Sequence, residues 1–161
     1  MIIIKKISRH FIDFIKGSLL LRYYNFKKGR LSNSKPVVIY MADGRMKHGG
    51  LSDRLCGLIS TYNYCKKNGC DFRINFKSPY QLDEILQPSN LDWRIKDEDI
   101  SYSLCDSKPV YISFRPQYDV TEKMFEKALN GGKKQYHVYT NARYFRKPKI
   151  RKQSQWQSQL Q

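Results

Sequence analysis

The sequence predicts an α/β protein with a Rossmann-like parallel sheet and flanking helices, preceded by a basic amphipathic N-terminal helix. Residues 37–40 are a short apolar run that is typical of a buried strand. A glycine-containing loop and a helical pattern over residues 52–67 follow, and residues 72–76 then alternate as a second strand. This strand–helix–strand order forms a βαβ unit, which implies a parallel sheet with a right-handed crossover.

The helix of this βαβ unit has recognisable ends and one apolar face. Ser52 is the expected N-cap, and Gly69 is the expected stop after a last turn that carries Lys66 and Lys67. The side chains expected to pack on the sheet follow helical spacing and are Leu55, Leu58, Ile59 and Tyr62.

Four further elements are predicted downstream. Residues 80–86 form a short helix, and residues 110–114 alternate as a third strand. A helix over 120–129 ends at two glycines, and residues 135–140 form a fourth strand.

The same patterns divide the chain into four segments. Residues 1–30 form the basic amphipathic helix, 31–35 a linker, and 36–145 the Rossmann-like domain. Residues 146–161 lack any period or core-forming run, so we expect a disordered basic and polar tail.

The positive charge is concentrated at the two ends of the chain. The formal net charge is +16, with 30 Lys and Arg against 14 Asp and Glu. Residues 1–35 carry nine basic side chains and one acidic one, and residues 141–161 carry six basic side chains and no acidic one. The central domain is therefore nearly balanced, and no aromatic RNA-binding motif accompanies the charge, so nucleic acid is not the expected partner.

The N-terminal segment has two interpretations. Its apolar residues recur at helical spacing, but lysines and arginines interrupt them, so it matches neither a membrane span, which needs about 20 apolar residues, nor a secretory signal. It either lies on an anionic membrane surface or packs on the domain or on a partner. We expect a cytoplasmic protein, which in the first of these interpretations is peripheral at the cytoplasmic face of the membrane.

The cysteines and histidines predict no metal site. The four cysteines form no CxxC pair, and the three histidines form no metal motif. Small buried thiols in a reducing compartment are the simpler interpretation.

The stretch "GRMKHGGLSDRLCGLIS" supplies the candidate site. It follows the first strand and leads into a helix N-terminus, where open α/β sheets bind ligands. Gly49 and Gly50 let the backbone approach a phosphate, and Arg54 adds a charge-assisted contact, so these three are the substrate-binding candidates. The catalytic candidates are His48 as a proton acceptor and Asp53, which orients Arg54 or a substrate hydroxyl.

Each of these residues also has a structural interpretation. Gly49 and Gly50 suit a tight turn, and Asp53 suits the first turn of any helix because of the helix dipole. Arg54 suits a solvated surface position, and His48 suits an ordinary loop. The stretch is neither a P-loop nor a dinucleotide fingerprint, since the remaining glycines and the lysine are absent.

The segment "HGGLSDRLCGLISTYNYCKKNGCDFRINF" resembles the first βαβ unit of the fucosyltransferase superfamily. Members carry a Gly-Leu-Gly-Asn-Arg or Gly-Gly-Leu-Gly-Asn-Gln element there, and residues 50–54 take those places in this chain. Ser52 stands for the usual glycine, and Asp53 puts a carboxylate where relatives have a neutral amide. The resemblance covers roughly residues 36–93.

The resemblance implies a glycosyltransferase with two facing Rossmann-like halves. The first half supplies acceptor contacts and the glycine loop, and the second binds most of the nucleotide sugar and supplies an arginine within a His-x-Arg type motif. No such motif occurs in these residues. The chain is therefore expected to be the N-terminal half, truncated and of low or no activity alone, with a missing domain or partner completing it.

Three function classes follow. The first is transfer from a nucleotide-diphosphate sugar, such as a GDP-sugar, to a glycan acceptor, in a metal-independent reaction without a resident cofactor. The alternatives are a noncatalytic membrane-associated protein and a basic nucleic-acid-binding protein.

Overall fold

The structure of the chain is a computed structural model that describes residues 14–29, 31, 35–47, 49–112 and 122–143. Residues 14–21 form helix α1. The elements that follow are β1 (Val37–Ala42), α2 (Leu51–Asn68), β2 (Asp71–Phe76), α3 (Leu82–Ile85), a 3-10 turn (Asp97–Asp99), β3 (Ser107–Ile112), α4 (Glu122–Ala128) and β4 (Gln135–Thr140).

The four strands form one parallel sheet, which confirms the predicted fold class. Their order is β2-β1-β4-β3, and every pairing is parallel. The two central strands, β1 and β4, are buried at all six positions. A strand covered on both faces needs no alternation of apolar and polar side chains, which is why the first strand reads as a continuous apolar run.

Each face of the sheet has its own core. On one face α2 and α4 cover a cluster that includes Tyr40, Phe72 and Val138, and Tyr64 stacks on Phe125 with ring centroids 4.9 Å apart. The other face carries a smaller cluster in which Leu20 of α1 packs near Ile39, Met41 and Tyr139, with Ile95 and Tyr102 alongside.

The two faces follow from the direction of the crossovers. The α2 and α4 connections run the same way across the sheet, whereas the connection from β2 to β3 runs the opposite way, past β1 and β4. Crossovers of one hand that run in opposite directions must lie on opposite faces. The β2–β3 connection accordingly contributes Ile95 and Tyr102 to the second face.

Helix α2 packs through a face that overlaps the predicted one only in part: Leu58 and Tyr62 lie against the core as predicted, and Tyr62 contacts the Phe72 ring. Its buried residues are Gly57, Ser60, Thr61, Tyr64 and Cys65, while Ile59 is 53% exposed. Small residues allow the helix to approach β4 closely, since a Cβ on Gly57 would lie 1.9 Å from the carbonyl oxygen of Thr140. The prediction that Ile59 faces the sheet was therefore wrong.

The ends of α2 are partly as predicted. Gly69 adopts a left-handed conformation and donates its N–H to the Cys65 carbonyl, as expected for a C-cap. Gly50 is the N-cap, without a side-chain cap bond, and Ser52 lies inside the first turn. The prediction of Ser52 as N-cap was wrong by two residues.

The third strand begins earlier than its alternation suggested. It starts at Ser107 and runs through Pro109 to Ile112. A proline has no N–H to donate, and β3 tolerates it because, among the described strands, β3 lies at the edge of the sheet and pairs with β4 alone. Residues 113–114 of the predicted strand and residues 120–121 of the predicted α4 lie outside the described residues.

The N-terminal helix is described only in part. Residues 14–21 are helical, and Asn25 then forms a parallel bridge with Ser103. Residues 1–13 of this segment and the predicted tail, 146–161, lie outside the described residues. None of the helices in the described parts of the chain is long and apolar enough to cross a membrane.

Candidate functional site

The glycine loop joins β1 to α2 at the carboxyl end of the sheet. Gly49 has φ of 78°, a conformation that side chains other than glycine adopt rarely, and Gly50 is the extended N-cap of α2. Both glycines are exposed, and a Cβ on Gly50 would meet nothing within 4 Å. The loop backbone is thus open to a ligand beside the first turn of α2. His48 lies outside the described residues.

The Asp53 side chain folds back over the loop. A Cβ on Gly49 would lie 2.2 Å from Asp53 Oδ2, so the carboxylate occupies the space beside this glycine. The helix dipole stabilises negative charge there, which agrees with the interpretation of Asp53 as an ordinary first-turn residue. The same carboxylate repels a phosphate at this spot, so its chemistry suits a hydroxyl group that donates a hydrogen bond or a proton.

Arg54 reaches across to the loop after β2. Its Nη1 donates to the carbonyl oxygen of Ser78, and the side chain is half-buried rather than solvated. Its buried Nε has no hydrogen-bond partner among the described residues. A buried donor without a partner costs free energy, about 1–3 kcal/mol for a typical group, so an acceptor at this position would be stabilising.

The backbone of α2 is fixed to the sheet behind this arginine. The Tyr40 hydroxyl donates to the carbonyl oxygen of Arg54 at 2.7 Å and lies 3.3 Å from that of Thr140. Burial raises the pKa of Tyr40 well above its ordinary value, so the hydroxyl stays protonated and able to donate. The first turn of α2 is therefore held at the carboxyl ends of β1 and β4.

Asp43 is a buried carboxylate that the sequence analysis missed. Its side chain is only 4% exposed, and its Oδ2 accepts a hydrogen bond from Arg45 Nη1. The hydroxyl groups of Tyr139 and Tyr102 lie 3.2 Å and 3.4 Å from the same oxygen. Burial raises the pKa of Tyr102 to about 12, so it too stays a donor.

Arg45 is held by this carboxylate and by aromatic rings. Its guanidinium carbon lies 4.0 Å from the centroid of the Tyr102 ring and 5.5 Å from that of Tyr23. Asp43 and Arg45 come directly after β1. Side chains at the carboxyl ends of parallel strands meet at one edge of the sheet, so this position in the sequence could have marked both residues as site candidates.

His137 belongs to the second face of the sheet. Gln135 Oε1 accepts from the Ser101 N–H, and Gln135 Nε2 donates to the Asp99 carbonyl, which fixes the orientation of the amide. His137 Nε2 must then donate to Gln135 Oε1 at 3.1 Å, which leaves Nδ1 to accept from the Tyr24 hydroxyl at 2.7 Å. Burial lowers the pKa of His137 to about 3, so the ring is neutral.

A charged groove along the β2 edge is a weaker candidate. It encloses about 790 Å³ and is lined by basic and acidic side chains. Its cations are paired with carboxylates: Arg73 with Asp71 at 3.1 Å, Arg94 with Asp92 at 2.9 Å, and Lys77 with Asp97. These pairs leave little net charge to attract an anion.

Among the residues that the structure describes, no group of three or more His, Cys, Asp or Glu side chains could hold a metal ion. The structure brings Gly49, Gly50, Asp53 and Arg54 together at one helix N-terminus.

Comparison with known proteins adds no relative. No family model, no curated protein and no solved structure matches the chain. The resemblance to the fucosyltransferase superfamily therefore rests on the residues quoted above and stays a prediction.

Proposed function

We propose that the chain is the acceptor-side half of a glycosyltransferase of the fucosyltransferase type. It would act on a nucleotide-diphosphate sugar, such as a GDP-sugar, and on a glycan or polysaccharide acceptor. One observation carries the proposal: the exposed backbone of Gly49 and Gly50 adjoins Arg54, whose buried Nε has no partner among the described residues. A diphosphate oxygen supplies the acceptor that this N–H needs.

The proposed roles follow from charge and position. Arg54 and the open backbone at Gly50 bind the diphosphate as negative charge develops on it, whereas the Asp53 carboxylate fills the space beside Gly49. Asp53, or His48, takes the proton of the acceptor hydroxyl as its oxygen bonds to the anomeric carbon. The bond between that carbon and the diphosphate breaks in the same displacement, and the nucleoside diphosphate leaves. The reaction as proposed needs no metal ion.

A second Rossmann-like half, from the same or another polypeptide, completes the cleft in this proposal. The resemblance assigns most donor contacts to that half. Residues 1–161 alone would then offer the diphosphate few contacts and would not orient it against the acceptor, and orientation is worth up to about 7–11 kcal/mol of the barrier. We expect weak donor binding and little or no turnover from this chain by itself.

The test is a titration of the 161-residue chain with GDP and with a GDP-sugar, in which NMR chemical shifts monitor binding. We expect small shifts that saturate, which indicates weak binding. The Arg54→Gln substitution should lower the affinity at least tenfold, since hydrogen bonds to charged groups contribute about 1.5–3 kcal/mol. Arg94→Gln is the matched control, because Arg94 is an exposed arginine paired with Asp92. Equal affinity of the two variants would remove the support for this site. Micromolar binding with steady turnover would contradict the half-cleft proposal.

We propose a peripheral location at the cytoplasmic face of the membrane, which also suits the noncatalytic alternative. Its support is the concentration of positive charge in residues 1–35 and the exposed apolar side chains that follow α1 and lie on it. Only the positive charge of the chain supports nucleic-acid binding.

A further inference from the structure

Helix α1 turns apolar side chains outward. Leu20 is buried on the second face of the sheet, yet Phe14 is 71% exposed, and Phe26 after the helix is 83% exposed. A surface helix ordinarily directs polar residues to solvent. We call the exposed set the outer apolar surface; it consists of Phe14, Ile15, Leu19, Leu21, Tyr23 and Phe26.

Basic side chains and no acidic ones accompany this surface. Residues 14–29 contain Lys16, Arg22, Lys27 and Lys28 and neither Asp nor Glu. Lys16 lies over the Tyr111 ring, 5.8 Å from its centroid, while the other three are exposed. The outer apolar surface is therefore edged by positive charge that faces solvent.

The positive charge indicates which kind of partner this surface binds. A second copy of this chain carries the same +16 net charge and the same basic edge, so the two surfaces would repel each other. An anionic bilayer offers both complements, since acyl chains accept the apolar side chains and headgroup phosphates accept the basic ones.

We propose that the outer apolar surface docks on an anionic lipid bilayer, with Phe14 and Phe26 inserted among the acyl chains. Arg22, Lys27 and Lys28 contact headgroup phosphates. The helix lies in the interface, as a short amphipathic segment does. Because α1 and α2 cover opposite faces of the sheet, α2 faces away from the bilayer. This inference rests on the peripheral location proposed above and is independent of sugar transfer.

The test measures sedimentation of the full chain with vesicles of phosphatidylcholine, with and without phosphatidylglycerol. We expect at least tenfold stronger binding to the anionic vesicles, reduced by high salt. The double variant F14S/F26S should lower that binding at least tenfold. The control is I85S/L86S, which makes the same change at two exposed apolar residues of the α3 region, 62% and 51% exposed, and should bind as the unmodified chain does.

The outcomes separate the two proposals. If the unmodified chain binds no vesicles, the peripheral location and the docking surface both fail. If it binds but F14S/F26S matches I85S/L86S, the location stands and this docking surface is wrong. Equal binding to neutral and anionic vesicles, or loss of a dimer rather than of lipid binding in F14S/F26S, would also overturn the proposal. Thermal melts followed by circular dichroism check that each variant is folded.

Discussion

Gly57 shows how a single missing side chain sets the position of a helix. Glycine in a helix interior costs about 1 kcal/mol relative to alanine, so the position weakens α2 as an isolated helix. Its compensation is close packing, because a Cβ there would lie 1.9 Å from the Thr140 carbonyl oxygen and 2.7 Å from its carbon. Those atoms belong to the backbone of β4, which cannot move aside as a side chain can.

We therefore expect Gly57→Ala to lower the free energy of unfolding by about 2–3 kcal/mol, the upper part of the range for overpacking. Urea unfolding followed by circular dichroism measures it. Gly17→Ala is the control, because a Cβ on Gly17 meets nothing within 4 Å and alanine favours the helix. If both variants unfold at the same urea concentration, the close approach of α2 to β4 is wrong.

Asp43 illustrates why the polar part of the site escaped sequence analysis. Its partners Arg45, Tyr102 and Tyr139 come from a loop, a crossover and a distant strand. Tyr139 reaches Asp43 because β4 inserts beside β1, and that strand order cannot be deduced from periodicity.

Asp43→Asn should lower the free energy of unfolding by about 1–3 kcal/mol, because an amide compensates the Arg45 charge poorly and brings donors where three donors already converge. Asp97→Asn provides a comparison, since Asp97 pairs with Lys77 and its side chain is 72% exposed. We expect little change from that substitution in the same urea titration. A comparable loss from both would mean that burial of Asp43 contributes nothing.

At the scale of the element, sequence predicted where α2 lies better than which face it buries. The strand before it, the glycine stop and the last-turn lysines located the helix. The face was predicted only in part, because periodicity counts large apolar side chains, whereas the buried positions of this helix include Gly57, Thr61 and Cys65. The Thr61 hydroxyl bonds to the Gly57 carbonyl at 2.9 Å, so its burial leaves that donor satisfied.

The exposure of Ile59 and the burial of Tyr64 predict different outcomes for two substitutions in one helix. Tyr64→Ala should cost about 3–5 kcal/mol, since Tyr64 is buried and stacks on Phe125. Ile59→Ala should change the free energy of unfolding by no more than about 0.5 kcal/mol, as expected for a surface substitution. Equilibrium unfolding of both variants measures the difference. A larger loss of stability from Ile59→Ala than from Tyr64→Ala would mean that Ile59 faces the sheet, as periodicity predicted.

For the molecule as a whole, the two faces of the sheet are secured by different chemistry. The face under α2 and α4 is an apolar and aromatic core. The other face combines a few apolar side chains with buried hydrogen bonds that connect Tyr24, His137 and Gln135. The position of the glycine loop between β1 and α2 was predictable from the strand–loop–helix order along the chain, but this second face was not, because it depends on a long crossover without regular spacing.

The second face should make the fold sensitive to acid. Burial lowers the pKa of His137 to about 3, with the nearby Arg45 charge as a smaller cause, whereas an unfolded histidine titrates near about 6.5. Between these values the unfolded chain binds one more proton than the folded one. The stability that depends on neutral His137 is therefore complete above about pH 6.5 and is lost as the pH falls towards 3, by about 1.4 kcal/mol per pH unit.

Urea unfolding at pH 7, 6, 5 and 4.5 measures how the free energy of unfolding depends on pH. The His137→Gln substitution should reduce this dependence by up to about 1.4 kcal/mol per pH unit, whatever the substitution does to stability at pH 7. Because carboxylates also contribute to acid unfolding, the NMR resonances of the His137 ring provide the direct readout. They should not titrate between pH 7 and 4.5 in the folded protein. Titration of this ring near pH 6.5 would mean that the imidazole is hydrated and that the hydrogen bonds from Tyr24 and to Gln135 do not hold it neutral.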